Sequence, residues 1–282
     1  MSSLLPWVPN MLNQNIQYSS TKPDATDKVV DQAANNLARA SELIEHALES
    51  FTATRPELTV VIPVYNEPNT VLEIVQRVHR LPITMQIIVV NDGSTDNTAD
   101  FLDELAYLDN VEVIEHHTNL GKGAALQTGF QHARGKFVIV QDADLEYDPV
   151  DIMKVIEPLR NDECDVVYGS RYLDSASQDP SRVHRFGNWL LTSLSNWLTG
   201  LQLTDMETCY KAIRRDVLDN LQIEQSRFGF EPEITAKLAR QMVRIREVGV
   251  SYKCRSWKDG KKIGVLDLFS TLYCIVRYGI KR

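Results

Sequence analysis

The sequence lacks several features that would place it in a familiar class of protein. Its 282 residues include only four cysteines, and no two of them form a CxxC pair. A zinc or redox motif of that spacing is therefore not predicted, and reduced thiols in a cytoplasmic protein are expected. No stretch approaches the roughly 20 mostly apolar residues of a membrane span. The first twenty residues carry no charged side chain, so we expect no signal peptide.

Positive charge and several catalytic signatures are also scarce. The chain has 30 Lys and Arg against 38 Asp and Glu, a net charge of −8, whereas a general binder of nucleic acid is usually basic. The patterns GxxxxGK[ST], HExxH and GxSxG do not occur, which excludes P-loop, zincin and α/β-hydrolase signatures. A complete GxGxxG is missing too, and this argues against a dinucleotide-binding Rossmann site.

The spacing of apolar residues changes near residue 57 and divides the chain. Residues 1–56 are predicted to form a polar, proline-containing tail and an amphipathic helix that packs on the main domain. Short β-rich runs then alternate with helical segments, and near-continuous apolar runs such as IIVV and FVIV predict strands buried on both faces. We predict an α/β domain over 57–262 and an amphipathic helix over 263–282. The predicted strands are Leu58–Pro63, Met85–Val90, Val111–Glu115, Lys136–Gln141 and Asp165–Gly169.

Polar residues directly follow three of these strands. The sequence PVYNE ends the first, NDGSTD the second and QDAD the fourth. Ordinary turn chemistry explains any one such loop, but three at the edge where ligands bind in parallel sheets favour a polar cleft.

Asp142 and Asp144 are the sharpest candidates in this cleft. Residues two apart on an extended chain point to the same side, so both carboxylates can face one point beyond the strand. Such a pair repels itself unless a cation lies near it, and Mg²⁺ or Mn²⁺ bound to carboxylates and substrate phosphate is the usual solution.

Taken in order, these motifs resemble the family 2 glycosyltransferases with the GT-A fold. The shared segments are PVYNE, VVNDGSTDNT, NLGKGAALQTGF, QDADLEYDP and GSRY. The later TDMETCYKAI, FGFEPEITAKLAR and the pair Arg255 and Lys261 resemble the dolichyl- and polyprenyl-phosphate mannosyl- and glucosyltransferases. The resemblance covers about residues 58–263 and implies a mostly parallel central sheet flanked by helices.

The resemblance also implies a role for each matching residue. The nucleoside of a sugar nucleotide would contact Pro63, Tyr65, Glu67, Val90 and Asp92. The divalent metal would bind Asp142 and Asp144 with Glu146 as a third contact, while Ala143 would line the same pocket. Phosphate groups would meet Arg171, Arg255 and Lys261, and Arg171 would act in catalysis with the two aspartates. The mannosyltransferases often carry Gln where this chain has Glu146, which loosens the inference of mannose as the sugar.

The predicted reaction is metal-dependent, inverting transfer of mannose or glucose from a GDP- or UDP-hexose to a polyprenyl phosphate. A lipid phosphate is already anionic at neutral pH and needs a cationic cradle, whereas a sugar hydroxyl needs a general base. Base candidates are Asp205, Glu207, Glu231 and Glu233. Transfer to a sugar hydroxyl in cell-envelope polysaccharide synthesis is therefore an alternative. A non-catalytic scaffold that binds a partner through residues 28–52 is another.

Two stretches with apolar helical faces are relevant to whether the acceptor is a membrane lipid. Phe186–Thr204 has no charged side chain and carries two tryptophans, and Ile263–Arg282 is largely apolar before its basic end. Such helices suit a membrane interface, although a helix that covers the sheet would show the same apolar spacing. We predict a peripheral membrane contact at the inner, cytoplasmic face.

Overall fold

Two units, Met1–Thr54 and Arg55–Arg282, make up the chain in the computed structural model. The structure describes residues 30, 32–44, 55–173, 182–227, 229–255 and 265–280. In the first unit, residues 32–44 form helix α1, as the apolar spacing predicted, and its side chains Leu37, Leu43 and Ile44 are exposed.

A seven-stranded sheet forms the centre of the second unit. Its spatial order is β3-β2-β1-β4-β6-β5-β7. Strand β6 runs antiparallel to both of its neighbours, and the other four pairings are parallel. The mostly parallel α/β architecture is thus confirmed. The strands are β1 Leu58–Val64, β2 Met85–Asn91, β3 Val111–Glu115, β4 Phe137–Val140, β5 Val166–Ser170, β6 Lys211–Arg214 and β7 Ile245–Gly249.

Helices cover the sheet through apolar faces of helical period. In α2, the buried residues Val71, Ile74, Val75 and Val78 recur at the spacing of one helix face. Between β2 and β3, where the apolar spacing predicts one helix over residues 97–108, the chain instead forms a short helix α3, Thr98–Asp103, followed by a 3-10 turn, Glu104–Tyr107. The remaining helices are α2 Val71–His79, α3 Thr98–Asp103, α4 Lys122–His132, α5 Asp151–Arg160, α6 Arg182–Thr199, α7 Arg215–Leu218, α8 Phe230–Arg240 and α9 Val265–Ile280.

The register of the central strands brings the predicted loops together. Val61 on β1 lies opposite Ile88 of β2 and Val140 of β4. Because these three strands are parallel and adjacent, the loops that follow them begin at one edge of the sheet. The residues predicted for the cleft therefore start from the same edge.

Helices α6 and α9 pack together and carry most of the large exposed apolar side chains of the second unit. Their contact is close, since a Cβ at Gly279 of α9 would lie 2.7 Å from Cβ of Leu198 on α6. We call the outward side chains of the two helices the α6–α9 surface. It consists of Phe186, Trp189, Leu190, Trp197, Leu268, Phe269, Tyr273, Val276 and Ile280. Within the described ranges, no helix combines the length and apolar character needed to cross a bilayer.

Candidate active site

A cavity of about 470 Å³ lies beyond the carboxyl ends of β1, β2 and β4. Twelve of the residues singled out in the sequence line it: Pro63, Tyr65, Glu67, Asp92, Asp142, Ala143, Asp144, Glu146, Arg171, Glu207, Glu231 and Arg255. Val90 does not, because its side chain is fully buried inside the sheet on β2. Lys261 lies outside the described residues.

The loops after β1 and β2 hold each other in place. The backbone amide of Asn66 donates to Ser94 Oγ at 3.0 Å, and the amide of Thr95 donates to Asn66 Oδ1 at 2.8 Å. The amide of Glu67 donates to Thr98 Oγ1 at 3.0 Å. The polar residues of both loops thus fix the backbone that carries Glu67 into the cavity.

Asp92 is buried at the end of β2, where its carboxylate binds the loop before α4. It accepts hydrogen bonds from the amides of Leu120 at 3.0 Å and Gly121 at 2.7 Å, and it lies 2.7 Å from His116 Nδ1. Gly121 has φ +102°, and a Cβ there would lie 2.4 Å from the carbonyl oxygen of Ser226, so only glycine fits. A nucleoside contact for Asp92 stays a prediction, while its contact with this loop positions the start of α4.

Lys122, the first residue of α4, was not among the predicted site residues. Its Nζ lies 2.9 Å from Asp142 Oδ1 and 3.3 Å from Glu231 Oε1. Burial opposes the charged ammonium, but the two carboxylates outweigh it and raise the pKa of Lys122 well above its ordinary value. The available signal was the GKG sequence at residues 121–123, which follows the loop after the predicted strand Val111–Glu115, where a lysine at the start of a helix faces the sheet edge.

Asp142 and Asp144 follow β4 and line the same cavity. Arg255 Nη2 lies 3.2 Å from Asp144 Oδ2 and 2.8 Å from Glu67 Oε1. Burial, with the negative charges of Asp142 and Glu146, raises the pKa of Asp144 to about 7. Carboxylate oxygens whose charges are incompletely compensated are a donor set that suits a hard divalent cation.

The carboxylate of Glu146, which lines the same cavity, is hydrogen-bonded to other protein groups. It accepts hydrogen bonds from the Tyr252 hydroxyl at 2.7 Å and from the backbone amide of Arg255 at 2.8 Å. Across the residues described, no group of three or more His, Cys, Asp and Glu side chains is arranged to hold a metal ion. A role for Glu146 as third metal ligand therefore stays a prediction.

Arg171 is held at the cavity wall by a buried acid. Its Nε and Nη2 donate to the two carboxylate oxygens of Asp205 at 2.6 and 2.7 Å, and Nη2 also donates to Asn188 Oδ1 at 3.3 Å. The guanidinium carbon lies 5.2 Å from the centre of the Tyr252 ring. Burial opposes the charge of Arg171, but Asp205 outweighs this and raises its pKa further.

The four base candidates differ in what they contact. Asp205 pairs with Arg171, and Glu231 pairs with Lys122. Glu233 accepts two backbone hydrogen bonds at 2.7 Å and lies 2.6 Å from the ammonium of Lys237. Glu207 lines the cavity, and its buried Oε1 has no hydrogen-bond partner among the residues described.

Curated proteins of similar sequence carry out related reactions. Dodecaprenyl-phosphate galacturonate synthase of Rhizobium johnstonii is 28% identical over 79% of this chain and 68% of its own length. Polyprenol monophosphomannose synthase of Mycolicibacterium smegmatis is 28% identical over 79% of this chain and 86% of its own length. Undecaprenyl-phosphate 4-deoxy-4-formamido-L-arabinose transferase of Pseudomonas fluorescens is 32% identical, but the match spans only 55% of that protein.

Solved structures and a family profile complete the comparison. Glucosyl-3-phosphoglycerate synthase from Mycobacterium tuberculosis, solved with Mn²⁺, UDP and phosphoglyceric acid, superposes with a TM-score of 0.60 at 20% identity. The alignment covers 82% of this chain and 81% of that one, and it confirms the predicted GT-A fold. The profile described as "Glycosyl transferase family 2" matches residues 59–222, more than half of the chain. The chain therefore belongs to glycosyl transferase family 2 and is a glycosyltransferase.

Proposed function

We propose that this chain transfers a hexose from a nucleoside diphosphate sugar to a polyprenyl phosphate. The relatives named above are synthases or transferases of polyprenyl-phosphate sugars, and the R. johnstonii and M. smegmatis proteins each match 79% of this chain. The acceptor class is the point on which the relatives agree, whereas the sugars in their names differ. The proposal therefore commits to the lipid phosphate and leaves the sugar to the test.

The observation that carries the proposal is the contact between Arg171 and helix α6. The guanidinium that lines the cavity donates to Asn188 on the inner side of α6. The next residue, Trp189, is 59% exposed on the α6–α9 surface. This arrangement suits an acceptor with an anionic head and an apolar tail, because the inner side of α6 contacts the Arg171 guanidinium in the cavity and its outer side is apolar and exposed.

The charges of the cavity suit a phosphate nucleophile. A phosphate monoester has a second pKa near ~6, so its oxygen is already anionic at neutral pH and needs no base. Nε and Nη2 of Arg171 donate to Asp205 and Asn188, so Nη1 is the guanidinium nitrogen that can donate to a phosphate oxygen. Three of the four acids that could serve as a base are already paired with cations, which favours the phosphate acceptor.

In the proposed reaction an acceptor phosphate oxygen attacks the anomeric carbon of the hexose. The bond between that carbon and the diphosphate oxygen breaks as the new bond forms, the nucleoside diphosphate leaves, and the configuration inverts. Asp142 and Asp144 would hold Mg²⁺ or Mn²⁺, which neutralises the negative charge that develops on the departing diphosphate. Lys122 and Arg255, which contact these aspartates, add positive charge at the same end of the cavity.

The α6–α9 surface supports a peripheral contact with a bilayer that contains the acceptor. Trp197 is 78% exposed, and the neighbouring helix adds further large apolar side chains. Aromatic residues on a helix face are typical of interfacial membrane helices. We therefore include membrane contact at the cytoplasmic face in the proposal.

Transfer to a sugar hydroxyl is the second candidate, and one observation favours it. A hydroxyl nucleophile needs a base, and Glu207 is an acid in the cavity wall with an oxygen that lacks a partner in the described structure. If Glu207 were that base, the acceptor would be an alcohol. The experiment must therefore offer both kinds of acceptor.

The test mixes the purified full chain with Mg²⁺ or Mn²⁺, a panel of sugar nucleotides that includes GDP-mannose, UDP-glucose and UDP-galacturonate, and a short polyprenyl phosphate. We expect a glycosylated lipid phosphate from at least one donor. Chelation with EDTA and the Asp144→Ala variant should each lower turnover at least about a thousandfold.

Two outcomes would contradict the proposal. If product forms only with hydroxyl acceptors, the second candidate function, transfer to a sugar hydroxyl, replaces the proposal. Unchanged turnover of Asp144→Ala, or of the wild type in EDTA, would remove the metal from the reaction.

A further inference from the structure

Glu207 lies on a backbone segment that is fixed at both ends. The amide of Asp205 donates to Glu247 Oε1 at 3.1 Å, and the amide of Cys209 donates to the Tyr147 hydroxyl at 3.2 Å. The segment between them therefore has little freedom to move. The side chain of Glu207 is held in the cavity wall as a preformed element of the site.

One carboxylate oxygen of Glu207 is buried and has no hydrogen-bond partner among the described residues. The other cavity acids differ, since Asp142 and Glu231 share the ammonium of Lys122 and Asp144 contacts Arg255. Buried polar atoms are nearly always satisfied, and an exception calls for a missing partner. An ionised carboxylate oxygen can only accept, whereas a protonated carboxyl also carries one O–H donor, so a group that both donates and accepts satisfies Glu207 in either protonation state.

The surrounding charges narrow the class of that donor. Burial, with the nearby charge of Glu231, raises the pKa of Glu207 to about 8, although Lys211 and Arg171 act in the opposite direction. A phosphate oxygen has no proton to donate once it is ionised, so it could satisfy Glu207 only in its protonated form. Uncharged hydroxyl groups would satisfy the oxygen without adding charge, and a hexose is the part of a sugar nucleotide richest in them.

We propose that Glu207 accepts a hydrogen bond from a hydroxyl group of the transferred hexose and is a specificity-determining residue for the sugar. This inference rests on the proposed use of a nucleoside diphosphate hexose, and it holds for either acceptor class. It assigns the phosphates to the cations Lys122 and Arg255, and the sugar to the part of the cavity wall formed by Glu207.

Binding measurements without acceptor test this assignment. Calorimetry in Mg²⁺ would compare wild type, Glu207→Gln and the control Glu104→Gln, an exposed residue on the 3-10 turn. The titrants are UDP, GDP, UDP-glucose and GDP-mannose. For the sugar nucleotide that binds the wild type more tightly, we expect Glu207→Gln to weaken binding about tenfold. The Kd of the bare nucleotides for Glu207→Gln, and the Kd of every titrant for Glu104→Gln, should stay within about twofold of the wild-type value.

Monodeoxy analogues of the same sugar nucleotide identify the hydroxyl. At a pH above 8, where Glu207 is ionised, one analogue should bind the wild type about tenfold more weakly than the parent. This difference should be smaller for Glu207→Gln, because a neutral amide oxygen accepts a weaker hydrogen bond than a carboxylate does. The wild-type half of this experiment does not depend on the folding of any variant. Thermal unfolding of Glu207→Gln should show a midpoint no lower than that of the wild type, because the change removes an unsatisfied buried acid.

Several results would overturn the inference. In the first, Glu207→Gln weakens the binding of the bare nucleotide as much as that of the sugar nucleotide. In the second, the wild type binds the bare nucleotide as tightly as the sugar nucleotide. In the third, the wild type binds every monodeoxy analogue as tightly as the parent. Lost turnover of Glu207→Gln with unchanged affinity for the sugar nucleotide would instead make Glu207 a general base. Failure of the wild type to glycosylate a lipid phosphate bears on the proposed function alone, because the calorimetry contains no acceptor.

Discussion

At the scale of single residues, the site is a set of acids and bases in contact, and Arg171 with Asp205 is one of its deeply buried pairs. Asp205 is fully buried, and its carboxylate accepts two hydrogen bonds from the guanidinium. The loss of one partner leaves the other charge buried without compensation, which is far more costly than the loss of an exposed pair. Arg171 therefore serves the stability of the protein as well as its chemistry.

We predict that Arg171→Met lowers the free energy of unfolding by about 3 kcal/mol. The matched control is Arg160→Met, which breaks the part-exposed pair with Glu57 and should cost no more than about 1 kcal/mol. Urea denaturation followed by circular dichroism measures both. Similar losses for the two variants would show that Asp205 finds another partner.

A second prediction concerns pH and the same wall of the cavity. Glu207 faces Glu231, Asp205, Lys211 and Arg171, and its pKa rises from 4.5 to about 8 in the folded protein. The folded state therefore retains a proton that the unfolded chain releases, and the free energy of unfolding should fall as the pH rises between these two values. In EDTA and without ligand, Glu207→Gln should flatten this decline. If the free energy of unfolding falls with pH at the same slope in the variant, other titratable groups cause the decline.

The sequence predicted which residues meet at the site better than it predicted their contacts. Acids directly after parallel strands were recognisable because topology alone brings such positions to one edge. Lys122 was missed because its contact with Asp142 depends on how α4 begins, which in turn depends on Asp92 and on the close approach of Ser226 to Gly121. Such partnerships between distant segments leave no periodic signal.

At the scale of elements, buried regular patterns were predictable and short irregular ones were not. The five predicted strands are present, with ends within one residue of the prediction at most termini. Strands β6 and β7 were missed. β6 spans four residues and begins with the buried Lys211, and β7 has two adjacent charged residues between Ile245 and Val248 at the edge of the sheet. Their strand character comes from pairing with β5, which sequence spacing does not encode.

The α6–α9 surface gives the prediction at this scale. Flotation with vesicles of phosphatidylcholine and phosphatidylglycerol should recover the wild type. The double variant Trp189→Ser/Trp197→Ser should partition at least about fivefold more weakly, because each exposed indole would otherwise be buried in the interface.

The control for this experiment is Met242→Ser. Met242 is 89% exposed in the turn after α8 and is not part of the α6–α9 surface. It should float like the wild type. Equal flotation of all three proteins would mean that these helices do not contact the bilayer.

At the scale of the whole molecule, the second unit contains its own core. Every buried apolar side chain identified in the described residues lies between Leu58 and Tyr278. We predict that a protein of residues 55–282 folds with a thermal midpoint within about 2 °C of the full chain and binds sugar nucleotides equally well. Differential scanning calorimetry and the titrations above measure this. A midpoint lower by more than about 5 °C would show that the first 54 residues stabilise the second unit.

The reversed strand β6 has a consequence for how such proteins diversify. On one side of it in the sheet stand β1, β2, β3 and β4, and the loops after β1 and β2 carry Tyr65, Glu67 and Asp92. On the other side stand β5 and β7, followed by Arg171 and Arg255. The two groups of residues come from different stretches of the gene. Because Arg255 pairs with Glu67 and Asp144 across this division, a mutation after residue 165 changes contacts made by residues before it, and the two parts of the cavity cannot vary independently.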